Sequence, residues 1–157
     1  MRPAETFNFI VLLGCLVYLA SLVLPVFYTE EVISRREGLV RDGHTWYGWQ
    51  VLVFGWLAII SSKYWSMAWF ANQFFVLGVV AYRMQSRWSV PVLIAGIFIA
   101  RTAFSFHGMF SDKEPPATEV IGFGLGLYSW IAAFYIVLAG IVWEWVVSLM
   151  SSSNRDS

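Results

Sequence analysis

Residues 45–83, TWYGWQVLVFGWLAIISSKYWSMAWFANQFFVLGVVAYR, decide how the chain is expected to fold. The stretch holds five of the nine tryptophans in the protein, which are Trp46, Trp49, Trp56, Trp65 and Trp69. It is apolar for longer than one membrane crossing, which takes about 20 residues because the hydrocarbon core is ~30 Å thick. A polar break at 61–63 and the amide pair Asn72-Gln73 interrupt it. How this stretch meets a bilayer therefore determines the expected topology.

The composition of the whole chain points to lipid as its solvent. The 157 residues are 59% hydrophobic and only 13% charged, whereas soluble domains are roughly 45–50% apolar and about 25% charged. The formal net charge is zero, which argues against a nucleic-acid partner. Because Cys15 is the single cysteine, the chain has no intrachain disulfide and no cysteine metal cluster.

Five apolar segments are candidates for membrane helices, at 7–27, 46–60, 64–82, 88–106 and 120–150. Spanning segments are expected to be helical because lipid cannot satisfy backbone polar groups. The predicted fold class is all-α: an integral membrane helical bundle of four transmembrane helices plus one short Trp-rich helix. That short helix is re-entrant, interfacial or a fifth span. We expect a single transmembrane helical domain over 1–150 and a disordered C-terminal tail over 151–157.

The orientation of the bundle follows from its basic loops. Arg83 and Arg87 lie in a short loop, which the positive-inside rule places in the cytoplasm together with the C-terminus. The span count stays open. The 15 residues of segment 46–60 make only ~22 Å of helix, which favours four crossings with the N-terminus inside. The distribution of Lys and Arg favours five crossings with the N-terminus outside.

Arg101 stands out because it lies in the apolar sequence GIFIARTAFSF. A charge at such depth is costly and is expected to face protein or water. At ~1.5 Å per residue, Arg101 falls at a depth similar to that of Asn72, Gln73 and Tyr128, which predicts an intramembrane polar layer. The layer is either a site for an anionic group or a transported solute, or a structural hydrogen-bond network. Alternatively, Arg101 extends outward to the headgroups.

Two further sets of residues are candidates for contacts. Glu144 near the inner end of the last segment is expected to form an ion pair with Arg83 or Arg87, or to be exposed at the interface, with a proton-carrying carboxylate as the alternative. Trp65 and Trp69 are four positions apart and form one ridge of a helix. This ridge either packs and anchors in lipid, or contacts a partner helix or a lipid.

No pattern indicates a catalytic residue, a cofactor or a metal ion. His44 and His107 have no second histidine or carboxylate at a metal-ligand spacing. Gly122, Gly124 and Gly126 spell G-x-G-x-G, but this motif opens an apolar helix with no strand expected before it. We therefore interpret these glycines as positions of close helix packing.

Three short patterns carry a resemblance to a known group of proteins. They are G-W-Q-x-L-x-x-G-W at 48–56, A-W-F-A-N at 68–72 and G-L-G-L-Y-S-W at 124–130. In these patterns the chain resembles small uncharacterised bacterial multi-pass inner-membrane proteins, with a glutamine at position 73 in place of their proline. The resemblance implies a bacterial plasma-membrane location and no established activity.

Three functions are compatible with these features. The first is a non-enzymatic multi-pass membrane protein, of accessory or immunity type, that binds a partner in or at the bilayer. The partner would be the lipid bilayer itself, another membrane protein or a second copy of the chain. The second is a small transporter or channel subunit with the polar layer around Arg101. The third is a membrane enzyme, although the sequence shows no His/Asp or Cys/His set at an interface.

Overall fold

The computed structural model describes residues 8–35, 38–56, 67–105, 108–109 and 118–153. In this part of the chain the α-helices are α1 (Phe9–Val23), α2 (Gly48–Phe54), α3 (Ala71–Arg83), α4 (Ser89–Arg101) and α5 (Leu125–Ser153). The strands are β1 (Pro25–Arg35), β2 (Gly38–Tyr47), β3 (Gly108–Met109) and β4 (Thr118–Phe123). Single 3-10 turns precede α3, at Met67–Phe70, and follow α4, at Thr102–Ser105.

The all-α prediction is wrong, because the four strands form an antiparallel sheet in the order β2-β1-β4-β3. The reason is a two-residue alternation in β1. Phe27 and Thr29 are buried while Tyr28 between them is exposed, as expected for one half-buried face of a sheet. The segment after Thr29, which lies between two of the predicted membrane segments, pairs as the β1–β2 hairpin, with Glu30 opposite Gly43.

The last apolar segment also begins differently from the prediction. It was expected to be helical from Val120, but residues Thr118–Phe123 form strand β4, which pairs with β1. The helix starts only at Leu125, after Gly124 donates its backbone N–H to the carbonyl oxygen of Val26 over 2.8 Å. The glycine motif thus begins inside a strand, at Gly122, and it marks the point where the sheet passes into α5.

The prediction of four transmembrane helices is also wrong. Helix α1 has 15 residues and α3 and α4 have 13 each, so they measure only ~20–22 Å at ~1.5 Å per residue against a ~30 Å hydrocarbon core. Within the described residues, one helix is long and apolar enough to cross a membrane, the 26-residue stretch Leu125–Met150. Only 39% of its apolar window is buried. This finding supports association with a membrane.

The helices pack side by side with the sheet at one end. Helix α1 runs antiparallel to α5, since Gly14 faces Val137 and the Asn8 side chain donates to the carbonyl oxygen of Gly140 at 2.9 Å. A Cβ added at Gly14 would lie 2.5 Å from Val137 Cγ2, so only glycine permits this approach. Helices α3 and α4 form an antiparallel hairpin through residues 84–88. Buried side chains from α1, α3, α4 and α5 form the main core, including Val11, Phe75, Leu93 and Phe134.

A second, smaller core joins the sheet to the helices. Its buried members are Val26, Phe27, Ala68, Ala103 and Leu127. They come from β1, from the two 3-10 turns and from the first turn of α5. This core fixes the sheet to the end of the helices at which α1 ends and α3 and α5 begin. The candidate site lies beside it.

Candidate functional site

The described residues enclose a pocket at the junction of the sheet and the helices. It contains about 680 Å³ of empty space, including its open mouth. Its walls come from the end of α1, from β1, α2 and the Met67–Phe70 turn, and from the first turns of α3 and α5. Most of the lining is apolar, with Leu22, Val26, Phe27, Val51, Leu52 and Leu127 as its main aliphatic and aromatic members.

Asn72 is the amide of the pocket lining, and it connects three helices. Its side chain is only 9% exposed. Its Oδ1 accepts two hydrogen bonds, from the Tyr18 hydroxyl at 2.9 Å and from the indole N–H of Trp130 at 3.0 Å. Its Nδ2 donates to the carbonyl oxygen of Trp69 at 3.0 Å. Because buried polar groups are costly when unpaired, these bonds hold α1, α3 and α5 in register at the base of the pocket.

Aromatic packing supports this network from the helix side. The Tyr18 ring stacks on Phe75, with ring centroids 4.3 Å apart and an interplanar angle of 10°. Phe75 in turn meets Phe134 edge to face at 5.0 Å, and Phe134 meets Trp130 at 5.9 Å. Such aromatic pairs add to the stabilisation from simple burial. The rings therefore orient the two donors that reach the Asn72 oxygen.

The wall formed by α2 is held in place by one indole and one glycine. The Trp69 indole N–H donates to the carbonyl oxygen of Leu52 at 2.8 Å. On the opposite side, Gly48 lies directly against α1, where an added Cβ would overlap the carbonyl oxygen of Ser21 and come within 2.8 Å of Leu22 Cα. Helix α2 has only seven residues, so these two contacts are what position it as a wall of the pocket.

The elements that border the pocket also carry exposed apolar and aromatic side chains. Those on the end of β2, on α2 and on the turns beside it are Tyr47, Trp49, Val53, Phe54, Trp56 and Met67. Tryptophan and tyrosine concentrate at the headgroup level of membranes because their rings are amphipathic. The elements that border the pocket therefore expose residue types that are found at a lipid–water interface.

The structure separates the residues of the predicted polar layer. Arg101 is the last residue of α4 and is exposed, and Tyr128 is 52% exposed and packs against Phe104, with ring centroids 5.9 Å apart. Gln73 is half-buried beside Asn72, and with its amide nitrogen facing the backbone it donates to the carbonyl oxygens of Trp69 and Phe70 at 3.1 and 2.8 Å. The described partners of the Asn72 side chain are thus Tyr18, Trp69 and Trp130.

The predicted ridge of two tryptophans falls partly outside the described residues. Trp65 lies in the stretch 57–66, of which the structure describes nothing. Trp69 is half-buried, lines the pocket and meets Phe70 edge to face at 5.5 Å. Its described contacts include those with Leu52 and Phe70, in the wall of the pocket.

Glu144 lies at the end of the helices that is far from the sheet. Its carboxylate accepts a hydrogen bond from the Tyr82 hydroxyl at 2.6 Å. The same hydroxyl lies close to the backbone N–H of Asn8 and within electrostatic range of Arg83. The Tyr82–Glu144 hydrogen bond thus ties α3 to α5 at this end of the helices.

The pocket lining carries few polar side chains. Its polar types are serine, asparagine and tryptophan, and none of the described lining residues is Asp, Glu, His, Cys, Lys or Arg. Among the residues that the structure describes, no group of three or more His, Cys, Asp or Glu side chains could hold a metal ion.

Comparisons of the chain with protein-family models, with curated proteins and with solved structures find no match. The geometry of the pocket is therefore what identifies it as a candidate site. Sequence reasoning singled out Asn72 but missed Tyr18 and Trp130, which are its two donors. The sequence signal for these two residues is weak. Tyr18 and Trp130 are each an aromatic residue with a polar atom in an apolar segment, and most such residues are ordinary core or interface aromatics.

Proposed function

We propose that this chain is a non-enzymatic, membrane-associated binding protein of accessory type, and that its pocket takes an apolar group of a partner in or at the bilayer. The observation that carries the proposal is the pocket at the sheet–helix junction, apolar in its lining and free of ionisable side chains in the described residues. Ligand sites are typically concave, mostly apolar and supplied with a few polar groups.

A membrane location supports this proposal. Helix α5 contains the apolar stretch Leu125–Met150, and the other helices carry exposed apolar side chains, among them Leu16, Leu19, Val76, Leu77 and Phe98. Contiguous exposed apolar surface marks a contact with lipid or protein. We propose the bacterial plasma membrane, with the end of the helices that carries Arg83 and Arg87 towards the cytoplasm.

The proposal is tested by photocrosslinking from inside the pocket. A benzophenone side chain at Leu52, in the otherwise unchanged chain in native membranes, should give an adduct with whatever occupies the pocket. The Val51→Trp variant fills the pocket and should lower the yield. The matched control is Val53→Trp, because Val53 lies on the same helix but is exposed and outside the pocket lining. Equal adduct yields in all three proteins would contradict the proposal.

A further inference from the structure

The size of the pocket limits what can occupy it. Two turns of an α-helix, ~11 Å wide and ~11 Å long with side chains, fill roughly 1,000 Å³. The pocket offers about 680 Å³ including its mouth, so a docked helix does not fit inside it. Because the 680 Å³ counts the open space at the mouth, the enclosed part takes a slender apolar group, such as the end of a hydrocarbon chain or one side chain.

The hydrogen bonds of the lining favour hydrocarbon over a polar solute. The indole N–H groups of Trp69 and Trp130 already donate, to Leu52 O and to Asn72 Oδ1. The Ser21 hydroxyl donates to the carbonyl oxygen of Tyr18 at 2.6 Å. A polar solute would lose water and find these donors taken, which is costly. An apolar chain has no hydrogen bonds to lose on entering, and it supplies packing contacts to the lining.

The exposed aromatic residues of the neighbouring elements indicate where such a chain would come from. Tyr47, Trp49 and Trp56 are exposed on or beside β2 and α2, which border the pocket, and these residue types favour the headgroup level. A molecule with its polar head at that level and its tail in the pocket would match both these side chains and the lining. A phospholipid has this form, whereas the side chain of a partner protein would bring a backbone with it.

We infer that the pocket holds one acyl chain of a membrane phospholipid, whose headgroup lies at the level of the exposed tryptophans. The inference rests on the proposed function, since it names the partner of the same pocket. A lipid seated there would cover the base formed by Asn72 and would form part of the surface that the sheet end of the protein presents.

The test uses the purified full chain in vesicles of 1-palmitoyl-2-oleoyl-phosphatidylcholine, with no other protein present. A small fraction of the lipid carries a photoreactive diazirine in its acyl chain. After irradiation, digestion and mass spectrometry, lipid adducts should map to pocket residues such as Leu52, Ala68 and Leu127. Val51→Trp should lower these adducts about tenfold, because the indole takes the space of several methylene groups and removes their packing contacts with the lining. Val53→Trp should leave them unchanged, and adducts on the outer faces of α1 and α3 should persist in all three proteins.

A smaller filling variant, Val51→Phe, guards against loss of folding. It should lower the pocket adducts less than Val51→Trp, in proteins that elute alike on gel filtration. If adducts form only on outer helix faces, or if Val51→Trp and Val53→Trp behave alike, the lipid inference is overturned. If vesicles give no pocket adduct but the Leu52 benzophenone captures a protein in native membranes, the lipid inference fails and the proposed function stands. If neither experiment gives a pocket adduct, both fail.

Discussion

The Tyr18 hydroxyl donates to the Asn72 amide oxygen across 2.9 Å and 54 positions of sequence. This bond connects the middle of α1 to the first turn of α3. The Trp130 indole reaches the same oxygen from α5 at 3.0 Å, so one acceptor serves two donors from two other helices. The pocket lies directly against this junction, and its shape therefore depends on it.

Replacing Asn72 should destabilise the protein more than replacing either donor. Asn72→Leu keeps the volume but leaves a buried phenol and an indole N–H without their acceptor, which should cost about 2–4 kcal/mol. Tyr18→Phe removes one bond and leaves Oδ1 paired with Trp130, so about 1 kcal/mol is expected. Chemical unfolding of the purified protein in detergent measures both values. Equal losses of unfolding free energy in the two variants would show that the shared Asn72 acceptor adds no stability beyond one hydrogen bond.

The glycines at the end of the sheet give a matched pair of variants. A Cβ at Gly124 would overlap the carbonyl oxygen of Pro25 and lie 2.7 Å from its carbonyl carbon, whereas a Cβ at Gly122 would meet Tyr28 Cδ2 at an ordinary 3.7 Å. Gly124→Ala should therefore destabilise by about 1–3 kcal/mol, and Gly122→Ala should change stability by less than about 0.5 kcal/mol. The same unfolding assay compares them, and a larger effect at Gly122 would refute the close approach of β1 and β4 to α5.

The far end of the helices is held by Tyr82 and Glu144, whose oxygens are 2.6 Å apart. Tyr82→Phe should lower the stability by about 1–2 kcal/mol, as expected for a hydrogen bond to a charged group at a partly buried site. Tyr135→Phe is the control, since Tyr135 is exposed on α5. If both substitutions have the same effect in thermal unfolding, the Tyr82–Glu144 bond does not stabilise the junction of α3 and α5.

Much of the helical part could be anticipated from the sequence. The apolar segments expected at 7–27, 64–82, 88–106 and 120–150 each contain a helix, because long apolar runs have few other ways to satisfy the backbone. Their lengths were overestimated, since apolar runs continue into strands and 3-10 turns. The hydrophobic run passes from α1 into β1, and from β4 into α5, without a change of composition.

The sheet could not be anticipated from long apolar runs. Segment 29–44 is polar and mixed in charge, so it resembles a loop, and only the short alternation of Phe27, Tyr28 and Thr29 indicates a strand. The pocket depends on long-range contacts such as Gly48 against Ser21. Contacts of this kind follow from how the elements assemble, and one sequence without relatives does not reveal them.

The membrane association of α5 is tested by placing a charge on its exposed face. Ala139 is exposed near the middle of the apolar stretch Leu125–Met150, where an arginine costs about 2.5–3.5 kcal/mol on insertion scales. Ala139→Arg should therefore reduce the fraction of protein that stays in the membrane pellet after alkaline carbonate extraction.

The control for this experiment is Leu149→Arg at the end of the same stretch. Leu149 is also exposed, but an arginine there can extend its head to the interface at little cost. It should leave the pellet fraction close to that of the unchanged chain. Release of the unchanged chain by carbonate, or equal retention of both arginine variants, would contradict a membrane-embedded α5.

The most direct test of the account is whether phospholipid stabilises the protein through the pocket. Ligand that binds only the native state raises the unfolding temperature by mass action, and near-saturating lipid should give about 5 °C or more. The measurement is thermal unfolding of the purified full chain in detergent, with and without added 1-palmitoyl-2-oleoyl-phosphatidylcholine. The account predicts a rise for the unchanged chain and for Val53→Trp, and little or none for Val51→Trp. No rise in the unchanged chain, or the same rise in Val51→Trp, would contradict it.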